Sequence, residues 1–159
     1  MGVYLNDITF EIPSPAIAGD PASGSILDLG SVLVGGAPIT GGALDVENTG
    51  DAGTTLTLAG FSALGGFGLY SGDPSAVLVG DGTTGSGSDI ESFLFSFDPT
   101  GKSPGLYTQP ITLGSNAGSL EYTLQAEVFG AAVIPEPSTL AIWSLGLLIL
   151  VWYSRRRRR

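Results

Sequence analysis

Residues 119–129 read Ser-Leu-Glu-Tyr-Thr-Leu-Gln-Ala-Glu-Val-Phe and alternate almost without a fault. Leu120, Tyr122, Leu124, Ala126 and Val128 fall on one side, and Glu121, Thr123, Gln125 and Glu127 on the other. A period of two marks a strand with one face in a core and the other in water. The same reading extends upstream. In residues 92–97, Phe93, Phe95 and Phe97 share a face, and three aromatics at that spacing bury a large area on one side of a sheet. Asp98-Pro99-Thr100-Gly101 ends that strand, and residues 105–114 form the next, bent or placed at an edge by Pro110. Ser115-Asn116-Ala117-Gly118 is the turn between the last two strands.

Nearer the N-terminus the strands are shorter. Residues 26–34 form one, ending at Gly35-Gly36. Residues 43–48 form another, with Leu44 and Val46 facing in and Asp45 and Glu47 facing out. The turn at 48–53, Asn-Thr-Gly-Asp-Ala-Gly, leads into residues 54–61 with Leu56 and Leu58 inward. Residues 67–70 and 76–79 are weaker strands, and residues 80–89 are a polar, glycine-rich loop. About seven strands at roughly ten-residue spacing, with no amphipathic helix among them, predict an all-β, antiparallel β-sandwich, with a barrel as the alternative. Tyr4, Asn6, Ile8, Phe10 and Ile12 alternate with Leu5, Asp7, Thr9 and Glu11, which predicts a half-buried strand over residues 1–12. A loop rich in proline follows to residue 25.

Composition narrows the chemistry. The 159 residues suffice for one domain with extensions. No cysteine and no histidine are present, so disulfides, thiolate nucleophiles, Ser–His–Asp triads and the usual zinc ligand sets are excluded. The net charge of −9 conceals a split. Residues 1–154 hold all 15 acidic residues and one base, Lys102, while Arg155, Arg156, Arg157, Arg158 and Arg159 end the chain. A body of that charge repels nucleic acid, so no nucleic-acid partner is expected.

The order of short motifs resembles a known family. Residues 27–35 (LDLGSVLVG), 44–50 (LDVENTG), 93–100 (FLFSFDPT), Gly105-Leu106-Tyr107 and 114–118 (GSNAG) succeed one another as in immunoglobulin-like domains of the ASH/Hydin and choice-of-anchor type. The resemblance covers about residues 26–129. It implies an Ig-like sandwich serving as an extracellular or structural module, with no catalytic residues to carry over.

The C-terminal 25 residues carry a second signal. Pro135-Glu136-Pro137 precedes an apolar run containing Leu140, Ile142, Trp143, Leu145, Leu147, Leu148, Ile149, Leu150, Val151 and Trp152, and the five arginines follow. The low-polarity stretch 140–153 spans about 21 Å as a helix, against about 30 Å of hydrocarbon. It is therefore a short membrane helix, extended by residues 139 and 154 and by snorkelling arginines, with Trp143, Trp152 and Tyr153 near its ends. A C-terminal strand or core helix of the globular domain is the alternative, but five adjacent arginines fit poorly beside a core. Positive charge stays in the cytoplasm, which puts residues 1–138 outside. Pro135-Glu136-Pro137 alone reads as a stiff spacer. With the apolar run and arginines behind it, the segment resembles the PEP-CTERM sorting signal of Gram-negative, exopolysaccharide-producing bacteria. That resemblance implies a membrane-embedded exosortase as processing partner, with cleavage near the motif. It further implies passage through the inner membrane to the cell surface or an exopolysaccharide matrix. Such proteins carry an amino-terminal export signal. Residues 1–12 do not read as one, so the expectation is a leader upstream of Met1.

The expected organisation is an N-terminal strand and loop (1–25), an Ig-like sandwich (26–130), a proline-rich spacer (131–138), a transmembrane helix (139–154) and a cytoplasmic arginine tail (155–159). Asp45, Glu47 and Asp51, with Asn48, cluster at one turn and are weak candidate ligands for a hard cation, as are Asp81 and Asp89. Neither group has the spacing of a known calcium loop, and a solvated acidic surface is the plainer reading. No pair of carboxylates is singled out for glycoside hydrolysis, and residues 80–89 lack the lysine of a phosphate-binding loop. No cofactor and no enzymatic activity are expected. The expected function is that of an exported surface or matrix protein. The alternative is a carbohydrate- or protein-binding module, for which Tyr70 and Tyr107 are the candidate contact residues.

Overall fold

The computed structural model describes residues 12–82, 89–130, 143–149, 153 and 156. Nine strands fall within them: β1 (Ile17–Asp20), β2 (Ile26–Leu33), β3 (Ile39–Asn48), β4 (Thr55–Phe61), β5 (Phe67–Ser71), β6 (Val77–Val79), β7 (Ile90–Phe97), β8 (Gly105–Ser115) and β9 (Gly118–Phe129). They form a four-stranded sheet, β1-β3-β7-β5, and a five-stranded sheet, β2-β9-β8-β4-β6. The all-β sandwich expected from the alternation is the observed architecture.

The period-two residues make the core. Leu120, Tyr122, Leu124, Ala126 and Val128 of β9 are buried, as are Phe93, Phe95 and Phe97 of β7 and Leu44 and Val46 of β3. The sheets meet through aromatic edges. Phe61 of β4 stands edge-on to Phe93 and Phe95 of the opposite sheet, with ring centroids 5.0 and 5.3 Å apart. Such pairs contribute about 0.5–1.5 kcal/mol each beyond the area they bury. Phe97 continues the row between Phe67 and Tyr107, at 5.0 and 5.4 Å.

Three expectations need correction. The stretch from Pro13 to Ser25 is not all loop, because Ile17–Asp20 pairs antiparallel with β3, Ile17 opposite Asn48 and Asp20 opposite Asp45. Its prolines flank the pairing rather than interrupt it, so composition hid the strand. Nor is the sandwich wholly antiparallel. β2 runs parallel to β9, Ile26 opposite Thr123 and Leu33 opposite Phe129, and so forms an edge of the second sheet. Pro110 lies in β8, an inner strand with β9 along its whole length. The ladder from β8 to β4 extends only from Ser115 to Leu113, so Pro110 is strand-paired on one side, where a missing N–H is tolerated.

Two expected elements fall wholly or partly outside the described residues. The strand expected at residues 1–12 lies outside them up to Glu11, and Ile12 is exposed. Of the membrane helix expected over 139–154, residues 143–149 are helical and exposed. Among the described residues no helix is long and apolar enough to cross a membrane.

Close approach of the sheets dictates two glycines. Bulges in β2 (between Asp28 and Ser31) and β3 (between Gly41 and Leu44) face each other. Gly42 there has φ +62°, and a Cβ on it would lie 3.0 Å from Leu29 Cδ1. At Gly19 a Cβ would run into the hydroxyl of Tyr122. That hydroxyl donates to the Pro21 carbonyl at 3.1 Å and ties the buried face of β9 to the chain leaving β1. Burial, with a smaller effect from Asp20, holds the Tyr122 phenol above its ordinary value of 10.0, so it remains a donor.

The remaining knot is Asn48, 1% exposed at the end of β3. Its Oδ1 accepts from the N–H groups of Gly50 (3.1 Å) and Ala16 (3.4 Å). Its Nδ2 donates to the carbonyls of Thr54 and Leu78, each at 3.1 Å. Its own N–H donates to the Asp89 carbonyl at 2.9 Å. Buried amides demand this accounting, and here all of it is met.

Two outcomes follow from these contacts. Asn48→Ala is expected to lower unfolding stability in urea by about 3 kcal/mol, because buried partners lose their bonds. Asn48→Asp should cost a similar amount, since a carboxylate cannot donate to the Thr54 and Leu78 carbonyls; an undiminished midpoint for either would refute the assignment. Gly19→Ala should cost about 1–3 kcal/mol by overpacking, and Tyr122→Phe in the Gly19→Ala background should recover part of the loss.

Candidate functional site

The charged residues of β1 and β3 follow from the pleat. Leu44 and Val46 point into the core, so Asp45 and Glu47 project from the outer face of the first sheet. Register brings Asp20 opposite Asp45 and Ala18 opposite Glu47 on β1, and Ser92 and Ile90 opposite the same two residues on β7. The result is a shallow depression lined by Ala18, Gly19, Asp20, Asp45, Glu47 and Ile90. Two carboxylates directly opposite each other on paired strands repel, so this face is electrostatically loaded.

Asp51, the third candidate ligand, is elsewhere. It sits in the turn between β3 and β4, where its Oδ2 accepts from the Ser14 N–H at 3.2 Å and its carbonyl accepts from the Thr54 hydroxyl at 2.6 Å. The three candidate ligands therefore do not converge. Among the described residues, no group of three or more acidic side chains is arranged to hold a metal ion.

Two members of the expected acidic surface are not on the surface. Asn48 is the buried knot described above. Asp89 is 0% exposed, and among the described residues neither carboxylate oxygen has a well-formed hydrogen bond. Its carboxyl is pushed above the ordinary value of 3.8, first by burial and further by the charges of Asp81 and Glu47, with its own backbone N–H only partly offsetting them. A polar, glycine-rich sequence before residue 89 hid this, because nothing in local composition marks the first residue before a core strand as enclosed. Other carboxylates are shifted the opposite way. Asp73 is held low by the hydroxyl and N–H of Ser75, at 2.7 and 2.9 Å. Asp98 is held low by Thr100, whose N–H donates at 2.9 Å, and by Lys102.

The two tyrosines separate. Tyr70 on β5 is 65% exposed. Tyr107 on β8 of the other sheet packs against Phe97, donates to the Ser103 carbonyl at 2.9 Å and lies under Lys102 Nζ, 5.6 Å from its ring centre. The pair does not form one aromatic platform. Of the C-terminal signal, Pro135, Glu136, Pro137, Leu140, Ile142, Leu150, Val151, Trp152, Arg155, Arg157, Arg158 and Arg159 lie outside the described residues. Trp143, Leu145, Leu147, Leu148 and Ile149 lie on the described helical stretch, and Arg156 is in helical conformation.

No family model matches the chain, and no curated protein matches it. Among solved structures, a protein of unknown function from Porphyromonas gingivalis is similar at 13% identity and TM-score 0.50, over 72% of this chain and 47% of that one. The VesB protease of Vibrio cholerae is similar at 15% identity and TM-score 0.44, over 72% and 31%. A family 123 glycoside hydrolase from Clostridium perfringens follows at 9% identity and TM-score 0.39, over 67% and 23%. The chain spans less than half the length of each, and at 13% identity the first likeness is one of fold alone.

The carboxyl shifts predict the acid limb of stability. Asp89 binds its proton more tightly when folded, so its contribution is present below the unfolded value near 3.8 and is lost as pH rises through the raised folded value. Asp73 and Asp98 act oppositely: their contribution is present above 3.8 and is lost as pH falls through their lowered values. Asp89→Asn should therefore raise the melting temperature at pH 7 and leave it little changed near pH 3. A variant less stable than the parent at pH 7 would show that the charged carboxylate is needed there.

Proposed function

We propose that this chain is an exported, non-enzymatic protein of the cell surface or exopolysaccharide matrix. In this reading an immunoglobulin-like sandwich is carried through the inner membrane and held there by its C-terminal segment. An exosortase then recognises and cuts the segment near Pro135-Glu136-Pro137. The observation that carries the reading is the succession, at residues 135–159, of that motif, one apolar run and five arginines.

The physical roles divide cleanly. Two prolines keep the peptide out of a helix and open to an enzyme at the membrane face. The apolar run supplies the hold, and at 14 residues it is short for a lasting span. The arginines resist transfer and set the orientation with residues 1–138 outside. Supporting the Ig-like assignment are the two sheets β1-β3-β7-β5 and β2-β9-β8-β4-β6, with the first and last long strands of the second sheet running parallel.

The test is coexpression of the full chain with an exosortase in a Gram-negative host, followed by intact-mass measurement of the released protein. The released form should lack the apolar run and the arginines. Replacing Pro135, Glu136 and Pro137 together by alanine should leave the protein in the membrane fraction at full mass. Release of the triple variant, or retention of residues 139–159 in the product, would overturn the processing claim.

A further inference from the structure

The sandwich has two ends of different chemistry. β9 delivers the chain to Gly130 at one end. β2 finishes at the same end, since Leu33 is opposite Phe129, and β8 begins there, since Gly105 is opposite Val128. The loops of this exit end, residues 34–38, 62–66 and 98–104, hold one acid and one base, Asp98 and Lys102. At the far end are Asp51, Asp73, Asp81 and Asp89, with no base among them.

The exit end also exposes apolar side chains. Leu33, Val34, Leu106 and Phe129 are between 44% and 62% exposed. They are contiguous. Leu33 and Phe129 are cross-strand partners, the Val34 N–H donates to the Phe129 carbonyl at 3.0 Å, and Leu106 lies on the neighbouring strand opposite Glu127. Glu127 is the patch's one carboxylate and accepts from the Ser31 hydroxyl at 3.3 Å.

We propose that this exit end rests on the surface of the phospholipid bilayer, with the acidic end turned away. The inference rests on the reading of residues 139–154 as membrane-seated. Eight residues, 131–138, separate Gly130 from that segment, a reach of at most about 28 Å. β9 alone is 12 residues, or about 40 Å. Inverting the domain would require the tether to climb the full length of the sandwich, which it cannot do. Upright, the four far-end carboxylates stand several screening lengths from an anionic surface, the screening length being about 8–10 Å in ordinary salt. A lean toward the outer face of the second sheet then brings Leu33, Val34, Leu106 and Phe129 to the interfacial region, where exposed apolar groups gain most.

The absence of cysteine makes the test direct. Single cysteines at the exit end (V34C, L106C) and the far end (T49C, A52C) are labelled with a fluorophore in the full chain. The chain is reconstituted into phosphatidylethanolamine–phosphatidylglycerol vesicles carrying a headgroup quencher. Exit-end labels should be quenched several-fold more than far-end labels. The L106E/F129E variant, changed only at exposed positions, should lose most of that difference while still floating with the vesicles. Equal quenching at both ends in a chain that floats overturns this inference alone. A double variant with quenching unchanged overturns the role of the apolar patch. A chain that does not float overturns the membrane reading and this inference with it.

Discussion

A buried amide organises this sandwich. Asn48 sits where β3 ends, and its side chain has four hydrogen-bonding valences to fill in a place that water does not reach. It fills them with Ala16 and Gly50 on one side and Thr54 and Leu78 on the other. Those four residues belong to the approach to β1, the β3–β4 turn, the entry to β4 and the short strand β6. One side chain therefore joins segments from both sheets. Hydrophobic burial supplies most of the driving force for the fold, but it is not directional. The amide supplies direction, because only one arrangement of these four segments satisfies it.

The aromatic row depends on that arrangement. Phe61 reaches Phe93 and Phe95 across the interior only if β4 is held at the correct height over β7. Height is set at the far end by the Asn48 knot and along the edge by the facing bulges of β2 and β3. Tyr122 adds a tie of its own, from the core face of β9 to the Pro21 carbonyl, and requires Gly19 to lie bare beneath it. Each contact is modest. Together they convert a collapsed set of strands into one packing.

Charge follows a different logic from packing. The turns at the far end bear carboxylates without a single balancing base, and one of them, Asp89, is enclosed. The end from which the chain continues is nearly neutral and partly apolar. In the proposed membrane setting, such a domain on a short tether gains a preferred orientation.

Much of the architecture was legible in the residues themselves. Strict alternation in 119–129 and the three phenylalanines of 92–97 identified the core strands and their buried faces, because side-chain direction in a strand is a local property with period two. The C-terminal succession of Pro135-Glu136-Pro137, an apolar run and five arginines was legible for a similar reason, since its parts are adjacent in the chain. What local pattern did not reveal was pairing. The strand Ile17–Asp20 lies among prolines and glycines and is a strand only because β3 lies beside it. The parallel union of β2 with β9 joins residues almost a hundred positions apart. Asn48 and Asp89 read as members of a polar surface, yet both are enclosed, and the turn parts Asp51 from Asp45 and Glu47, which the pleat keeps on one face. Alternation determined which side chains seek the core. The tertiary structure alone decided which backbones meet, because hydrogen bonding between strands and the burial of a polar group depend on what the rest of the chain brings alongside.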